Sequence, residues 1–143
     1  MDGIDREPDR RVAYAVNARA AELIAMFALE PHPEGGWYRQ VFKSKQRVKR
    51  GSEDRSAITA IYFLLADGQK SAWHRVRSDE IWIHLEGSPL TLHIGDEAQV
   101  LNASSRIAAV AAGVWQAAEI AGDYTLVSCV VGPGFEFEDF EMR

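Results

Sequence analysis

The stretch GQKSAWHRVRSDEIWIHLEG, residues 68–87, decides how this chain is read. Glycine opens and closes it; His74 comes six residues after Gly68, Glu80 six after His74, and Gly87 seven after Glu80. On a strand, residues two apart share a face. His74 and Val76 therefore point the same way, about 6.6 Å apart. Glu80, Trp82 and His84 share a second face, on which His84 stands roughly 13 Å from Glu80, too far to hold one ion with it. Two strands carrying an imidazole and a carboxylate between glycine turns predict a polar site inside β-structure.

Outward from this stretch the chain reads as strands behind one helix. Val16, Ala20, Leu23, Ile24 and Phe27 recur at helical spacing, which predicts an amphipathic helix over residues 12–29, stopped by Pro31 and Pro33. Residues 1–11 are charged and aperiodic and are expected to be a flexible tail; residues 12–143 are expected to form a single domain. Glu34-Gly35-Gly36 reads as a turn. Strands are expected at Trp37–Phe42, Ala57–Leu65, Trp73–Val76, Glu80–Leu85, Leu90–Ile94, Gln99–Leu101, Ala108–Val110 and Asp123–Val131. Residues 43–56 read as a long polar connection. Short strands broken by glycine turns at this interval indicate a sandwich or barrel. The ending EFEDFEMR reads as a final strand or an extended arm with one apolar face, laid across the barrel or a partner subunit; Asp139 is a weakly supported catalytic candidate there.

Composition narrows the function classes. The 143 residues are 47% hydrophobic, enough to bury one core. A net charge of −5 argues against nucleic acid or a membrane surface as partner, since phosphate binding needs net basic surface. No run approaches the roughly 20 apolar residues that span a bilayer, and the N-terminus does not read as a secretory signal. The single cysteine, Cys129, excludes an intrachain disulfide framework and fits a reducing, cytoplasmic setting. Its apolar surroundings, LVSCVV, read as those of a buried structural thiol.

Five segments taken in order, LEPHPEGGWYRQ (29–40), SAITAIYFLL (56–65), SAWHRVRSDEIW (71–82), AAGVWQAAE (111–119) and YTLVSCVVGPGFEFEDFEM (124–142), resemble the small cupin-five family of the cupin superfamily. The resemblance implies an all-β fold: a cupin jelly-roll barrel, or double-stranded β-helix, with one N-terminal α-helix. Cupins present a His-x-His pair, a Glu and a final His as metal ligands. Here the first signature keeps His74 and Glu80 but has Val76 for the second His. The second signature, Pro-x-Gly-x-x-His, corresponds to Ala111–Gln116, with Ala111 for the proline and Gln116 for the last His. His74, Glu80 and Gln116 are thus what remains of the metal set, and two good donors plus an amide make a poor site. No cofactor is expected to be required, with a divalent metal on these three residues as the alternative. The family has no settled reaction and is similar in shape to sugar-nucleotide epimerases.

Several residues carry a functional and a plain reading side by side. His74 beside Glu80 reads as an acid–base dyad in which the carboxylate orients the imidazole, or as a satisfied buried pair. Trp82, on the face of Glu80, stacks a ligand ring or packs the core. His93 faces a polar lumen or solvent. Lys43, Lys45, Arg47, Lys49 and Arg50 form an anion-attracting lid or a solvated run. Arg39 and Arg75 are better anion candidates, while Tyr38 and Tyr62 donate protons or pack. The combined expectation is a protein that binds a small anionic metabolite, such as a sugar phosphate or nucleotide sugar, through Gln116, Trp82, Arg39, Tyr38, Arg75, His84 and His93. It would isomerise or epimerise that ligand with His74 as general base, oriented by Glu80. A non-catalytic binding protein and a weakly metallated enzyme are the alternatives. A homodimer is expected, with Trp37–Phe42 pairing across the interface.

Overall fold

The structure, a computed structural model, describes residues 18–143. The expected tail at 1–11 and the expected first turns of the helix lie outside the described residues. Within them α1 spans Ala18–Met26. It ends where Leu29 N–H bonds back to the Ile24 carbonyl and Ala28 takes φ 52°, a left-handed cap.

Thirteen strands follow. They are β1 (Glu30–Pro31), β2 (Trp37–Lys43), β3 (Arg47–Arg50), β4 (Glu53–Ser56), β5 (Thr59–Ala66), β6 (His74–Val76), β7 (Asp79–Gly87), β8 (Leu90–Ile94), β9 (Glu97–Leu101), β10 (Ile107–Val110), β11 (Gln116–Ile120), β12 (Tyr124–Gly132) and β13 (Phe140–Met142). They make a six-stranded antiparallel sheet in the order β1-β2-β5-β12-β7-β10 and a five-stranded one in the order β13-β6-β11-β8-β9. The two inner faces meet in a core of Phe63, Leu65, Trp82, Leu92, Leu101, Val110, Ile120 and Val127. This is the expected jelly roll.

The β5 run TAIYFLLA is almost wholly apolar because both of its faces are covered. Phe63 and Leu65 point into the barrel, while Leu64 and Ala66 pack under α1 against Leu23, Ile24 and Leu29. Each fully buried leucine contributes roughly 1.5–3 kcal/mol. Tyr62 stacks on Phe27 with ring centroids 4.3 Å apart, which makes it a packing residue. Arg19 adds a two-point bond to Glu86 at 2.8 and 3.1 Å, fastening α1 to β7.

Two expectations are corrected. Residues 43–56 are not a structureless connection: β3 and β4 form a hairpin around Gly51, at φ 61°. Its sequence hides this because the hairpin is held by charge pairs, Arg47–Asp54 and Arg50–Glu53, instead of an apolar face. The second correction is β11, a strand in the run QAAEI, whose alanines carry little strand preference and are placed by pairing with β8. Among the described residues no helix is long and apolar enough to cross a membrane.

Candidate active site

Strand register gathers the polar residues at one end of the barrel. His74 of β6 lies opposite Gln116 of β11 and Met142 of β13. Glu80 of β7 lies opposite Val131 of β12. Inward-facing positions of β2, β5 and β12 complete the wall with Tyr38, Ile61 and Cys129, leaving a cavity of about 200 Å³. Its outer part is walled by Phe135, Phe137 and Phe140. These lie on the arm that includes a 3-10 turn, Phe137–Asp139, and ends in β13.

Both members of the expected dyad face this cavity and are buried, His74 at 2% exposure and Glu80 at 7%. The partner that orients His74 is different from the one expected. Its Nδ1 lies 2.8 Å from the Ala72 carbonyl oxygen and 2.6 Å from Glu34 Oε2. A carbonyl and a carboxylate at one nitrogen fix the proton on Nδ1. The N–H is aligned on the carbonyl, so the carboxylate acts as an adjacent charge, and its Oε2 accepts no aligned hydrogen bond. Burial opposes the imidazolium, but Glu34, the Ala72 carbonyl and the Glu80 charge outweigh it, and the pKa of His74 is raised.

Glu80 is held from the other side. Gln116 Nε2 donates to Glu80 Oε1 at 2.9 Å, and Gln116 Oε1 accepts from Trp82 Nε1 at 2.8 Å. The Cys129 thiol, on the same cavity wall, also favours the charged carboxylate. Burial dominates: it raises the Glu80 pKa to about 7, with the Glu34 charge acting in the same direction and His74, Gln116 and Cys129 against it. Burial likewise holds Cys129 protonated.

Two residues complete the site beyond those expected from the sequence, Glu34, read there as part of a turn, and His32, seen only within a motif. Glu34 and His32 both line the cavity. His32 Nδ1 accepts the backbone N–H of Glu34 at 3.1 Å, and burial, reinforced by the charge of His74, lowers its pKa despite the nearby Glu34. Gly35 and Gly36 force this loop tight against the sheet. Both have positive φ, and a Cβ would come within 2.5 Å of the Lys70 carbonyl oxygen at Gly35 or 2.7 Å of that of Leu64 at Gly36. The usable signal was the PHPEGG motif itself, which carries two ionisable side chains that a turn alone does not need.

The other expected site residues are dispersed. Tyr38 lines the cavity. Gln116 and Trp82 are buried behind Glu80 and orient it, with both ends of the Gln116 amide occupied. Arg39 is exposed on the strand position that alternates with Tyr38. Arg75 binds Glu141 on the surface and stacks over Trp115. His84 points to the Ser88 carbonyl oxygen at 2.9 Å, away from the cavity. His93 pairs with Glu119 at 3.1 Å in a second cavity, which Glu34 also borders. Asp139 has its carboxylate fully buried between Arg55 and Arg50, so it anchors the arm. Of the basic residues at 43–50, Lys43 reaches the cavity mouth, where it binds Glu136 at 3.0 Å.

This donor set does not fit a resident metal ion. Val76 is an apolar wall, and the Gln116 oxygen faces the Trp82 N–H instead of His74 and Glu80. Among the described residues no three His, Cys, Asp or Glu side chains converge as a metal-binding group.

A jelly-roll barrel with a polar cluster in its lumen defines a cupin. The chain belongs to the family described as cupin superfamily (DUF985), which matches residues 21–143. Similar solved structures include a hypothetical protein from Leishmania major, 32% identical, covering 87% of this chain and 86% of that one, with a TM-score of 0.80. Another is a protein from Shewanella oneidensis, also 32% identical, covering 87% and 84%, with a TM-score of 0.76. An uncharacterised conserved protein with a double-stranded β-helix domain from Klebsiella pneumoniae, 18% identical over 80% of this chain and 89% of that one, shares the fold at a TM-score of 0.60. No curated protein matches the chain.

Proposed function

We propose that the cavity is a proton-transfer site and that the protein isomerises or epimerises a small carbonyl compound. The observation that carries this is the pairing of opposite groups in one cavity, both buried: a carboxyl raised to about 7 and an imidazole whose pKa is also raised. Near neutral pH such a pair holds a base, Glu80 carboxylate, beside an acid, His74 imidazolium. General acid–base catalysis works best when the groups titrate near the working pH. Glu80 takes the proton from the carbon next to the carbonyl, and His74 gives one to the oxygen. In isomerisation Glu80 then gives its proton to the other carbon while His74 recovers one from the other oxygen, so both end as they began.

The charges that line the cavity refine the ligand. Arg39 and Arg75 lie elsewhere, and Lys43 is at the mouth. An anionic group would meet a cation only at the outer end of the ligand, where it would have to take Lys43 from Glu136. The carbonyl then lies at the buried end and the carbon skeleton against Phe135, Phe137 and Phe140.

The test uses a panel of aldose phosphates, ketose phosphates and 2-oxo acids in D2O, with loss of the C–H signal next to the carbonyl followed by NMR. At least one compound should exchange with the wild-type protein and not with Glu80→Gln or His74→Gln. No exchange with any of them, even where one binds and raises the melting temperature by mass action, contradicts the enzyme reading and leaves a binding protein.

A further inference from the structure

The loop Pro31–Glu34 brings a second imidazole to the cavity, and its proton is arranged in the opposite way from that of His74. His32 Nδ1 is an acceptor, because the Glu34 backbone N–H points at it from 3.1 Å. A neutral imidazole that accepts at Nδ1 must carry its proton on Nε2. That Nε2 makes no hydrogen bond among the described residues and is not sealed from the cavity that His32 lines. The ring is held edge-on by Tyr38 at 4.6 Å and by Phe63 at 5.8 Å between centroids. His74 carries its proton on Nδ1 and leaves Nε2 open. The cavity therefore contains two imidazoles of different tautomer, one fixed by a backbone donor and the other by a backbone carbonyl beside a carboxylate.

We propose that His32 is a catalytic residue that remains neutral and donates its Nε2–H to the carbonyl oxygen of the ligand, stabilising the negative charge that develops when the neighbouring carbon loses its proton. This rests on the proton-transfer reading above and adds the group that reading lacks, a donor for the oxygen that does not give up its own proton. A neutral imidazole suits this role. It is a much weaker acid than an imidazolium, closer in proton affinity to an enediolate, so it shares its proton with the oxygen without losing it. Glu80 then works on carbon, His74 supplies the proton that is actually transferred to oxygen, and His32 keeps the oxygen in place. The balance closes: a C–H bond breaks to Glu80, an O–H bond forms from His74, and His32 ends the step as it began.

The test is long-range 1H–15N correlation on the intact protein labelled with 15N-histidine, from pH 5.5 to 8. The expected result is that His32 at pH 7 is a neutral ring protonated on Nε2, whereas His74 keeps Nδ1 protonated throughout. A charged His32 at pH 7, or a neutral ring protonated on Nδ1, overturns the proposal whatever the protein catalyses. The second arm uses the D2O assay. With any compound that exchanges, His32→Phe should cut the exchange rate by about 10²-fold or more, while the chemical shifts of His74 stay those of a folded site. Unchanged exchange in that variant also overturns it. If no compound exchanges at all, the proton-transfer reading falls, and the role of His32 falls with it. The tautomer result still stands as a separate finding about the site.

Discussion

His74 owes its chemistry to Glu34, a residue forty positions earlier in the chain. A neutral amide at position 34 would remove the charge beside Nδ1 while keeping the shape of the loop. Glu34→Gln is therefore expected to move the titration midpoint of His74 downward, read from its ring 1H shifts, while the Ala72 carbonyl keeps the tautomer unchanged. A midpoint that stays in place would show that Glu34 does not govern the imidazole. Much of this scale was open to the sequence: the spacing of His74 and Glu80 and their resemblance to a cupin signature pointed to both residues. Glu34 and His32 were hidden because prolines and glycines around them describe a turn equally well. Nothing in the linear pattern indicates that the turn is buried against β5. Gln116 was read as touching ligand, and instead its amide bridges Glu80 and Trp82.

The C-terminal arm is the element that walls the outer part of the cavity. It is fastened at one point by Asp139, which accepts from Arg55 Nε at 2.9 Å and Nη2 at 2.8 Å, and at the other by β13 pairing with β6. Hydrogen bonds from Arg55 lead the forces that lower the Asp139 pKa, in spite of burial. Asp139→Asn removes the buried charge shared by Arg55 and Arg50, leaving Arg55 to Glu53 and Glu138, and is expected to lower the melting temperature and to speed trimming of residues 135–143 by carboxypeptidase. Equal trimming rates in variant and wild type would show that the clamp does not hold the arm. The alternation of Phe and Glu in EFEDFEMR made an apolar-faced arm legible. The clamp was not, because Arg55 lies in a segment that reads as solvated charge. Its hairpin came into view only when Arg47, Arg50 and Arg55 were seen matched to Asp54, Glu53 and Asp139.

At the scale of the whole molecule, the buried acid–base pair makes stability depend on pH. Glu80 has a folded pKa near 7 against an ordinary value of 4.5, so the folded state binds its proton more tightly than the unfolded chain does. A raised pKa gives stability that is fully present below pH 4.5 and lost as pH rises through 7, of order 3 kcal/mol for a shift of this size. His74, also raised, loses its contribution in the same direction at higher pH. Urea unfolding should accordingly find the protein less stable at pH 8 than at pH 5, and Glu80→Gln should flatten that slope. His32, whose pKa is lowered by burial, works in the opposite direction, so the comparison with the variant decides: a slope unchanged in Glu80→Gln would contradict the burial on which the site depends. The fold at this scale was the most legible part, since short strands, glycine turns and ordered motifs all pointed to one barrel. The closing of its end was not, because it depends on long-range ion pairs.

The most direct measurement is the titration of the Glu80 carboxyl carbon by 13C NMR, assigned through the loss of its signal in Glu80→Gln. A midpoint near 7 is predicted, moved by ligands that reach the buried end. A midpoint close to 4.5 would mean that the carboxyl is solvated, and the cavity would then have no base poised for proton transfer at neutral pH.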